Sequence, residues 1–348
     1  MTSSALQKAK GFAFMFLSSS LMGGVGAFAR YIDAPGDFIA FWRSFAGFVA
    51  MTIIFLLGGK FTLVKGQRFS PAIFFSGLFL GLLSSLYVIG TQYTTLANAS
   101  FLIYTGPVYS TILATIFLKE PFKLSMLASL GAVILGTLFI VGIISADGIG
   151  LDLDPKYTVG NLIALSSGVA YGLYLFVSRL RTDFDSNVRA YYNFLFAALT
   201  ITVMVIIRWS DLHYPVREWN GNTPGGVVDS QPWLLSEMSQ RSWMVLIGCA
   251  LITGFGAFYF LTLATKILMA GELATISYQE TIMASILGFI LFSEVLTPLQ
   301  FLGGVLIIGG GVSQIILSLR SAKKPRHIND NNYDDFSKDT VVAGSEWK

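Results

Sequence analysis

A phenol, an amide and a carboxyl stand side by side in SYQETIM, where Tyr278, Gln279 and Glu280 interrupt an apolar run and Ser277 lies one helical turn back from Glu280. An ionisable group inside hydrocarbon costs about 2.5–3.5 kcal/mol on insertion scales, so it asks for a reason. A carboxyl there can bind a proton, compensate a cationic substrate, or alternate between the two; the plainer alternative is a protonated Glu280 bonding a neighbouring helix. Tyr87, Tyr104 and Tyr171 lie deep in other apolar runs, and Gln92, Asn193 and Arg43 add polar groups inside or near the ends of such runs. Aromatic faces around a carboxylate can hold an organic cation by cation–π contact. A ring-bearing metabolite or an amino-acid derivative fits the same residues, and so does aromatic packing with no ligand. Arg43 can pair with Asp33 or Asp37, or clamp one helix to another.

Other chemistries lack their residues. The single Cys249 forms no intrachain disulfide, and His213 and His327 are too few for a zinc ligand set. There is no HExxH, no paired acids with a histidine and no Walker motif, so neither an intramembrane enzyme, nor a metal or cofactor, nor direct ATP drive is expected.

These residues must be positioned by elements that suit lipid. Of 348 residues 54% are hydrophobic and only 12% charged, whereas a soluble domain carries about 25% charged residues. The charges fall in short clusters between apolar runs near 11–29, 38–57, 71–92, 98–118, 124–143, 158–178, 189–207, 243–265, 270–293 and 298–318. Each is close to the roughly 20 residues a spanning helix needs. The expectation is an all-α integral membrane protein of ten transmembrane helices, with the first span retained and not cleaved as a signal peptide, and with nucleic acid excluded as a partner. A cytoplasmic N-terminus puts Lys8, Lys10, Lys60, Lys65, Arg68, Lys119, Lys123, Arg179, Arg181, Arg189 and Lys266 inside, leaving Arg30, Lys156, Arg208, Arg217 and Arg241 outside. Both termini are then cytoplasmic. The stretch 209–242 reads as an irregular outer loop with a short surface helix, and 321–348 as a disordered cytoplasmic tail.

Spans one to five align with spans six to ten. GFAFMFLSSSLMGG (11–24) lies over GNLIALSSGVAYG (160–172), and AFWRSFAG (40–47) over AYYNFLFA (190–197), placing Arg43 opposite Asn193. LANASFLIYTGPVYSTILATIFLKEPF (96–122) lies over MAGELATISYQETIMASILGFILFSEVL (269–296), matching Tyr104 to Tyr278 and Glu120 to Glu294. Five spans per half give the halves opposite polarity, hence two inverted repeats, 8–144 and 157–320. Such repeats place a binding site near the midplane and exchange which side is open. Gly77 with Gly81, and Gly168 with Gly172, have the spacing of close helix packing. Glu120 and Glu294 suit capping or hinge contacts, and Glu272 with Lys266 a local ion pair.

The paired spans ending in IFLKEPF and ILFSEVL, each followed by a glycine-bearing span (SLGAVILG, LGGVLIIGG), resemble the drug/metabolite transporter superfamily in its EamA-type, ten-span form. FWRSFAG, the small-residue first and sixth spans and Pro107 in YTGPVYS add to the resemblance, which covers about residues 8–320. It implies a secondary transporter or exporter of small organic metabolites in a bacterial inner membrane, with a cavity lined by spans one, three, four and six to nine. One departure concerns that cavity: where the fourth span has Pro107, the ninth has Thr281, with Glu280 beside it. The expected substrate is cationic or derived from an amino acid or nucleoside, as in S-adenosylmethionine-like compounds. Glu280 is the proton-coupling or counter-ion residue, and the site comprises Glu280, Gln279, Tyr278, Tyr104, Tyr171, Tyr87, Gln92, Asn193 and Arg43. Protons are a candidate partner, and a monomer or homodimer would suffice. A non-transporting sensor or scaffold on the same fold is the competing class.

Overall fold

A computed structural model of the chain describes residues 3–59, 61–66, 70–119, 124–145, 148–149, 155–178, 180, 185–209, 212–220, 223–268, 273 and 276–322. Inside lipid every backbone N–H and C=O must find a partner within the segment, which is why the apolar runs become helices. They are α1 (Ser3–Gly23), α2 (Val25–Arg30), α3 (Gly36–Leu57), α4 (Phe61–Lys65), α5 (Pro71–Tyr93), α6 (Leu96–Ile103), α7 (Gly106–Phe117) and α8 (Leu124–Val141). There follow α9 (Pro155–Ser178), α10 (Ser186–Ile207), α11 (Gln240–Cys249), a π-helical turn at Ala250–Gly256, α12 (Ala257–Thr265), α13 (Gln279–Phe292) and α14 (Pro298–Ala322). Among the described residues seven helical segments are long and apolar enough to cross a membrane, and three shorter apolar helices, Leu130–Val141, Gln279–Phe292 and Pro298–Ser313, accompany them. Leu57, Ile207 and Ile290 are largely exposed, a pattern that water penalises and hydrocarbon does not.

The structure departs from the sequence reading in four places. The fourth run is not one helix: α6 ends at Ile103 and α7 begins at Gly106, with Tyr104 and Thr105 between them. Pro107 enters at the first turn of α7, where its missing N–H leaves no donor orphaned. The ninth run is likewise interrupted, Tyr278 forming the turn before α13. The eighth carries the π-turn Ala250–Gly256. The 209–242 stretch is not an irregular loop with a surface helix but an antiparallel hairpin, β3 (His213–Asn220) with β4 (Thr223–Pro232), followed by a single 3-10 turn at Leu235–Glu237. Its register sets Tyr214 opposite Gln231, Val216 opposite Asp229 and Arg217 opposite Val227. A second, minimal hairpin, β1 (Ile144–Ser145) with β2 (Gly148–Ile149), follows α8. Glu120, Glu272 and the tail beyond 322 lie outside the described residues.

The packing partners include α5 with α9 and α1 with α12; α5 with α10 and α3 with the π-turn; α6 and α7 with α9, and α13 with α1. Helix α8 pairs with α14, α3 with α10, and α6 with α13. The glycine pairs set how close these axes come. A Cβ on Gly81 would meet the Ala197 carbonyl at 2.9 Å, and one on Gly172 would stand 2.6 Å from Tyr109 Cβ and 2.9 Å from the Gly106 carbonyl. Gly168 likewise faces the Leu102 carbonyl at 2.6 Å, so α9 packs directly on the break between α6 and α7.

Gly172→Leu is expected to destabilise the fold by about 1–3 kcal/mol through overpacking at that break. A lowered midpoint of thermal unfolding in detergent checks this, and an unchanged midpoint would show that the seam yields.

Candidate functional site

The two interruptions bring Tyr104 and Tyr278 together. Tyr104 caps α6 and Tyr278 precedes α13, and their rings pack with centroids 4.7 Å apart. Tyr171 on α9 meets Tyr104 edge-on at 6.2 Å. The Tyr104 hydroxyl donates to the Ser277 carbonyl at 2.7 Å and lies 3.0 Å from Glu280 Oε2. Glu280 is thus in the first turn of α13, where a helix N-terminus favours negative charge. The Tyr278 hydroxyl is buried with no hydrogen-bond partner among the described residues, and it presses on Gly311, where any side chain would overlap it. Gln279, the first residue of α13, is half-buried beside them.

Arg43 and Tyr87 face the same region. The Arg43 guanidinium acts through space on Glu280 and on Tyr87 without an ion pair to either. Its Nε donates to Thr253 Oγ1 at 2.9 Å, and Thr253 donates in turn to the Cys249 carbonyl at 2.8 Å, at the start of the π-turn. The expected pairing of Arg43 with Asp33 or Asp37 is therefore not made. Asp37 takes Arg208 at 3.0 Å, and Asp33 accepts from Ser242 at 2.8 Å. Thr253 was missed in the sequence because an isolated threonine in an apolar run carries no signal of its own.

Two expected site residues lie elsewhere. Gln92 donates to the Ala34 carbonyl at 3.0 Å and reaches that of Ala29 at 3.4 Å, tying the end of α5 to the turn after α2. Its position near the end of a span places it there and not beside Glu280. Asn193 is buried on α10, bonded to Tyr174 and against the close approach of Gly77. Its role there is in the α5–α10 seam.

The end of the bundle that carries the hairpin has a charged closure of its own. Arg30 and Glu294 form an ion pair at 2.5 Å, with side chains 6% and 14% exposed. Arg30 also donates to the Thr94 carbonyl at 2.7 Å and to that of Thr91 at 3.2 Å, and lies 4.5 Å over the Phe292 ring. The second oxygen of Glu294 accepts the Leu96 N–H at 2.9 Å, so one carboxylate neutralises a guanidinium and caps α6. Ser293 makes this possible by taking a left-handed conformation (φ 54°) that turns the chain off α13. Over the pair, bulges on both sides of Arg217 break the register of β3, and Arg217 donates to the Gln92 carbonyl. Burial and the neighbouring Arg30 depress the Arg217 guanidinium to about 9, against the pull of Glu294.

The chain belongs to the EamA-like transporter family, whose model matches residues 9–142 and again 158–313. It is similar to an uncharacterized transporter of Archaeoglobus fulgidus, 24% identical over 86% of this chain and 94% of that one. It is also similar to the pseudopaline exporter CntI of Pseudomonas aeruginosa, 24% identical over 79% and 84%. The uncharacterized transporter YdfC of Bacillus subtilis is 27% identical over 69% of each chain. A solved crystal structure, 17% identical, superposes with a TM-score of 0.55 over 91% of this chain and 98% of the other, a likeness of fold. The family consists of transporters, not enzymes. The protein is therefore an integral membrane protein acting on a small-molecule substrate.

Removing one partner of a buried ion pair leaves an uncompensated charge. Arg30→Gln is expected to cost about 3–5 kcal/mol, and the Arg30→Gln/Glu294→Gln double variant less than that single change. Thermal midpoints of the two proteins check the order, and a double variant less stable than Arg30→Gln would contradict it.

Proposed function

We infer that this EamA-like transporter is a secondary carrier of a small organic metabolite that works by alternating access, with Glu280 as its proton-coupling residue. Ten spans form two inverted repeats, 8–144 and 157–320, in an inner membrane with both termini in the cytoplasm. Four features support the repeat. The same family model matches each half once. The major contacts between halves come in exchangeable pairs: α5 on α9 answers α1 on α12, α5 on α10 answers α3 on the π-turn, and α7 on α9 answers α13 on α1. Aligned Tyr104 and Tyr278 both fall at interruptions. Aligned Lys119 and Ser293 both take left-handed backbone, φ 53° and 54°, directly before Glu120 and Glu294.

A single observation carries the coupling reading. The Tyr104 hydroxyl has one hydrogen, yet it lies within bonding distance of two oxygens, the Ser277 carbonyl at 2.7 Å and Glu280 Oε2 at 3.0 Å. A carbonyl can only accept. Both contacts are hydrogen bonds when Glu280 is protonated and donates to Tyr104, which then donates to Ser277. With Glu280 ionised, one contact becomes an oxygen–oxygen repulsion and the two interrupted spans lose a link. Loading and losing a proton at Glu280 would thereby tighten and loosen the junction between the halves. Such a link gives a proton gradient a mechanical handle on the site. The discontinuous spans put helix ends near the midplane, as in other carriers of this architecture. The relative named an exporter points to efflux as the direction. A counter-ion role toward a cationic substrate is the second reading, favoured by the four tyrosines around Glu280.

In proteoliposomes, Glu280→Gln is expected to keep the fold, with an unfolding free energy within about 1 kcal/mol of the wild type, and to lose the pH dependence of flux for any metabolite that the wild type carries. Flux with unchanged rate and unchanged pH dependence in Glu280→Gln would sink the coupling role.

A further inference from the structure

With a proton on Glu280, one fixed charge remains in the tyrosine-lined region, the Arg43 guanidinium. Arg43 is 9% exposed and spends its Nε on Thr253. Its two Nη groups have no hydrogen-bond partner among the described residues, and the acids within reach of its end of the bundle are engaged elsewhere: Asp37 by Arg208, Asp33 by Ser242, Glu294 by Arg30. Neither Nη is among the fully buried atoms left without a partner, so the Nη edge is open, and the planar fork of an arginine matches a carboxylate bidentately. Thr253, itself held by the Cys249 carbonyl, fixes the opposite edge. Tyr87 faces Arg43, while Tyr104, Tyr171 and Tyr278 gather beside Glu280, the Tyr278 hydroxyl packing on Gly311.

We propose that Arg43 is the substrate-recognition residue of the central site, and that the substrate is a small organic acid with a ring-bearing apolar body, bound through its carboxylate to the Arg43 fork while the tyrosines hold the ring. This rests on the reading of Glu280 as the proton carrier. Charge arithmetic then links the two. With Glu280 neutral the region holds one positive charge, and an organic anion brings it to zero. With Glu280 ionised the region is already neutral, and the same anion would leave a net negative charge in hydrocarbon, which is strongly disfavoured. Acid and proton therefore enter and leave together, one proton per carboxylate, and by linkage each tightens the other. An amine would need Glu280 ionised and would meet the repulsion of Arg43.

The groups around Glu280 on the packed elements are few. Arg43 comes from α3, Tyr87 from α5, Tyr104 from the end of α6 and Tyr171 from α9, with Tyr278 on the same strand of chain. Of the other elements against α13, α1 brings Lys8 and Lys10 only at its far, exposed end, α2 brings Arg30, which is held by Glu294, and β4 brings the exposed Asp229. The tyrosines stay neutral across the ordinary pH range, so Glu280 is the group that titrates in the test.

The test is isothermal titration of the full-length purified protein with three isosteric probes, phenylacetate, phenylacetamide and phenethylamine, at about pH 5.5 and about pH 8. Phenylacetate is expected to bind the wild type, more tightly at the acid pH, and the amide and amine not to bind. Arg43→Gln is expected to weaken phenylacetate by about 10- to 100-fold. Should that variant fail to fold, Arg43→Lys keeps the charge without the fork and is expected to weaken it about tenfold. Glu280→Gln is expected to bind phenylacetate equally at both pH values. Wild-type affinity in the Arg43 variants, preference for phenethylamine, or no binding of any probe overturns the proposal. If the Arg43 variants bind as wild type while Glu280→Gln abolishes the pH dependence, only the Arg43 assignment falls. If Glu280→Gln keeps the wild-type pH dependence, the coupling role falls with it.

Discussion

A helix interrupted inside hydrocarbon exposes backbone donors and acceptors that nothing but the protein can satisfy. The two interruptions in this chain, at Tyr104–Thr105 and at Tyr278, depend on that constraint being met locally. At the first, Tyr104 and Thr105 N–H groups fall back on the Phe101 and Leu102 carbonyls at 3.2 Å, Val108 N–H takes the Thr105 carbonyl at 3.0 Å, and Pro107 removes a donor altogether. At the second, Thr281 N–H takes the Tyr278 carbonyl at 3.1 Å, and the Ser277 carbonyl receives the Tyr104 hydroxyl. The first break thus supplies a partner to the second through the Tyr104 hydroxyl, and the carboxyl of Glu280 is held where the two meet. The site is a by-product of satisfying backbone groups in lipid.

The same economy governs the hairpin end. Glu294 neutralises Arg30 and caps α6 with its two oxygens, so a single side chain joins the end of α13, the end of α2 and the start of α6. These elements belong to both halves of the molecule. Arg217 reaches in from β3 over the same spot. A closure made of one buried ion pair and a few carbonyls is stiff while intact, yet it has little apolar area to separate. That is the kind of contact a rocking motion between groups of helices can break and remake, whereas the glycine-tight seams α5–α10 and α6–α9, each joining a helix of one half to a helix of the other, must move as units.

Much of this was legible in the sequence. The apolar runs near 38–57, 71–92, 158–178 and 189–207 became helices with closely similar limits, because length and composition suffice to mark a lipid-spanning helix. Glu280, Tyr278, Tyr104 and Tyr171 do meet, since a polar residue deep in an apolar run has few places to go. The interruptions were not foreseen, although Pro107 and the run of polar residues at 277–281 mark both places; periodicity within an apolar run is blind to a break that keeps composition constant. Gln92 and Asn193 were misplaced for a related reason: depth along a span says nothing about which face a side chain takes. The β3–β4 hairpin was hidden by the Pro, Gly and Asn that it uses for its turn and bulges. Thr253 and the π-turn left no trace at all, because one extra residue in a helical turn is a matter of packing against Arg43 and not of composition.

The aligned halves also explain why the acid stands on one side only. Tyr104 over Tyr278 places Gly106 over Glu280, and Gly24 over Gly172 places Gly23 over Tyr171. In the first half Gly106 faces Tyr171, and a Cβ there would stand 2.8 Å from that side chain's own Cβ, so no acid fits. In the second half the sizes are exchanged: Gly23 packs on the Glu280 backbone, where its own Cβ would lie 2.6 Å from the Glu280 carbonyl. One junction is filled from the sixth span by a ring, the other is opened by a glycine on the first span and receives a carboxyl on the ninth. On the proposed repeat, aligned positions have thereby been given unlike content, a ring at one junction and the carboxyl at the other. Carboxyls at both junctions would repel, and rings at both would seal the centre. The small-for-large exchange across the repeat avoids both, and it leaves Arg43 opposite a single acid that can be neutralised by one proton.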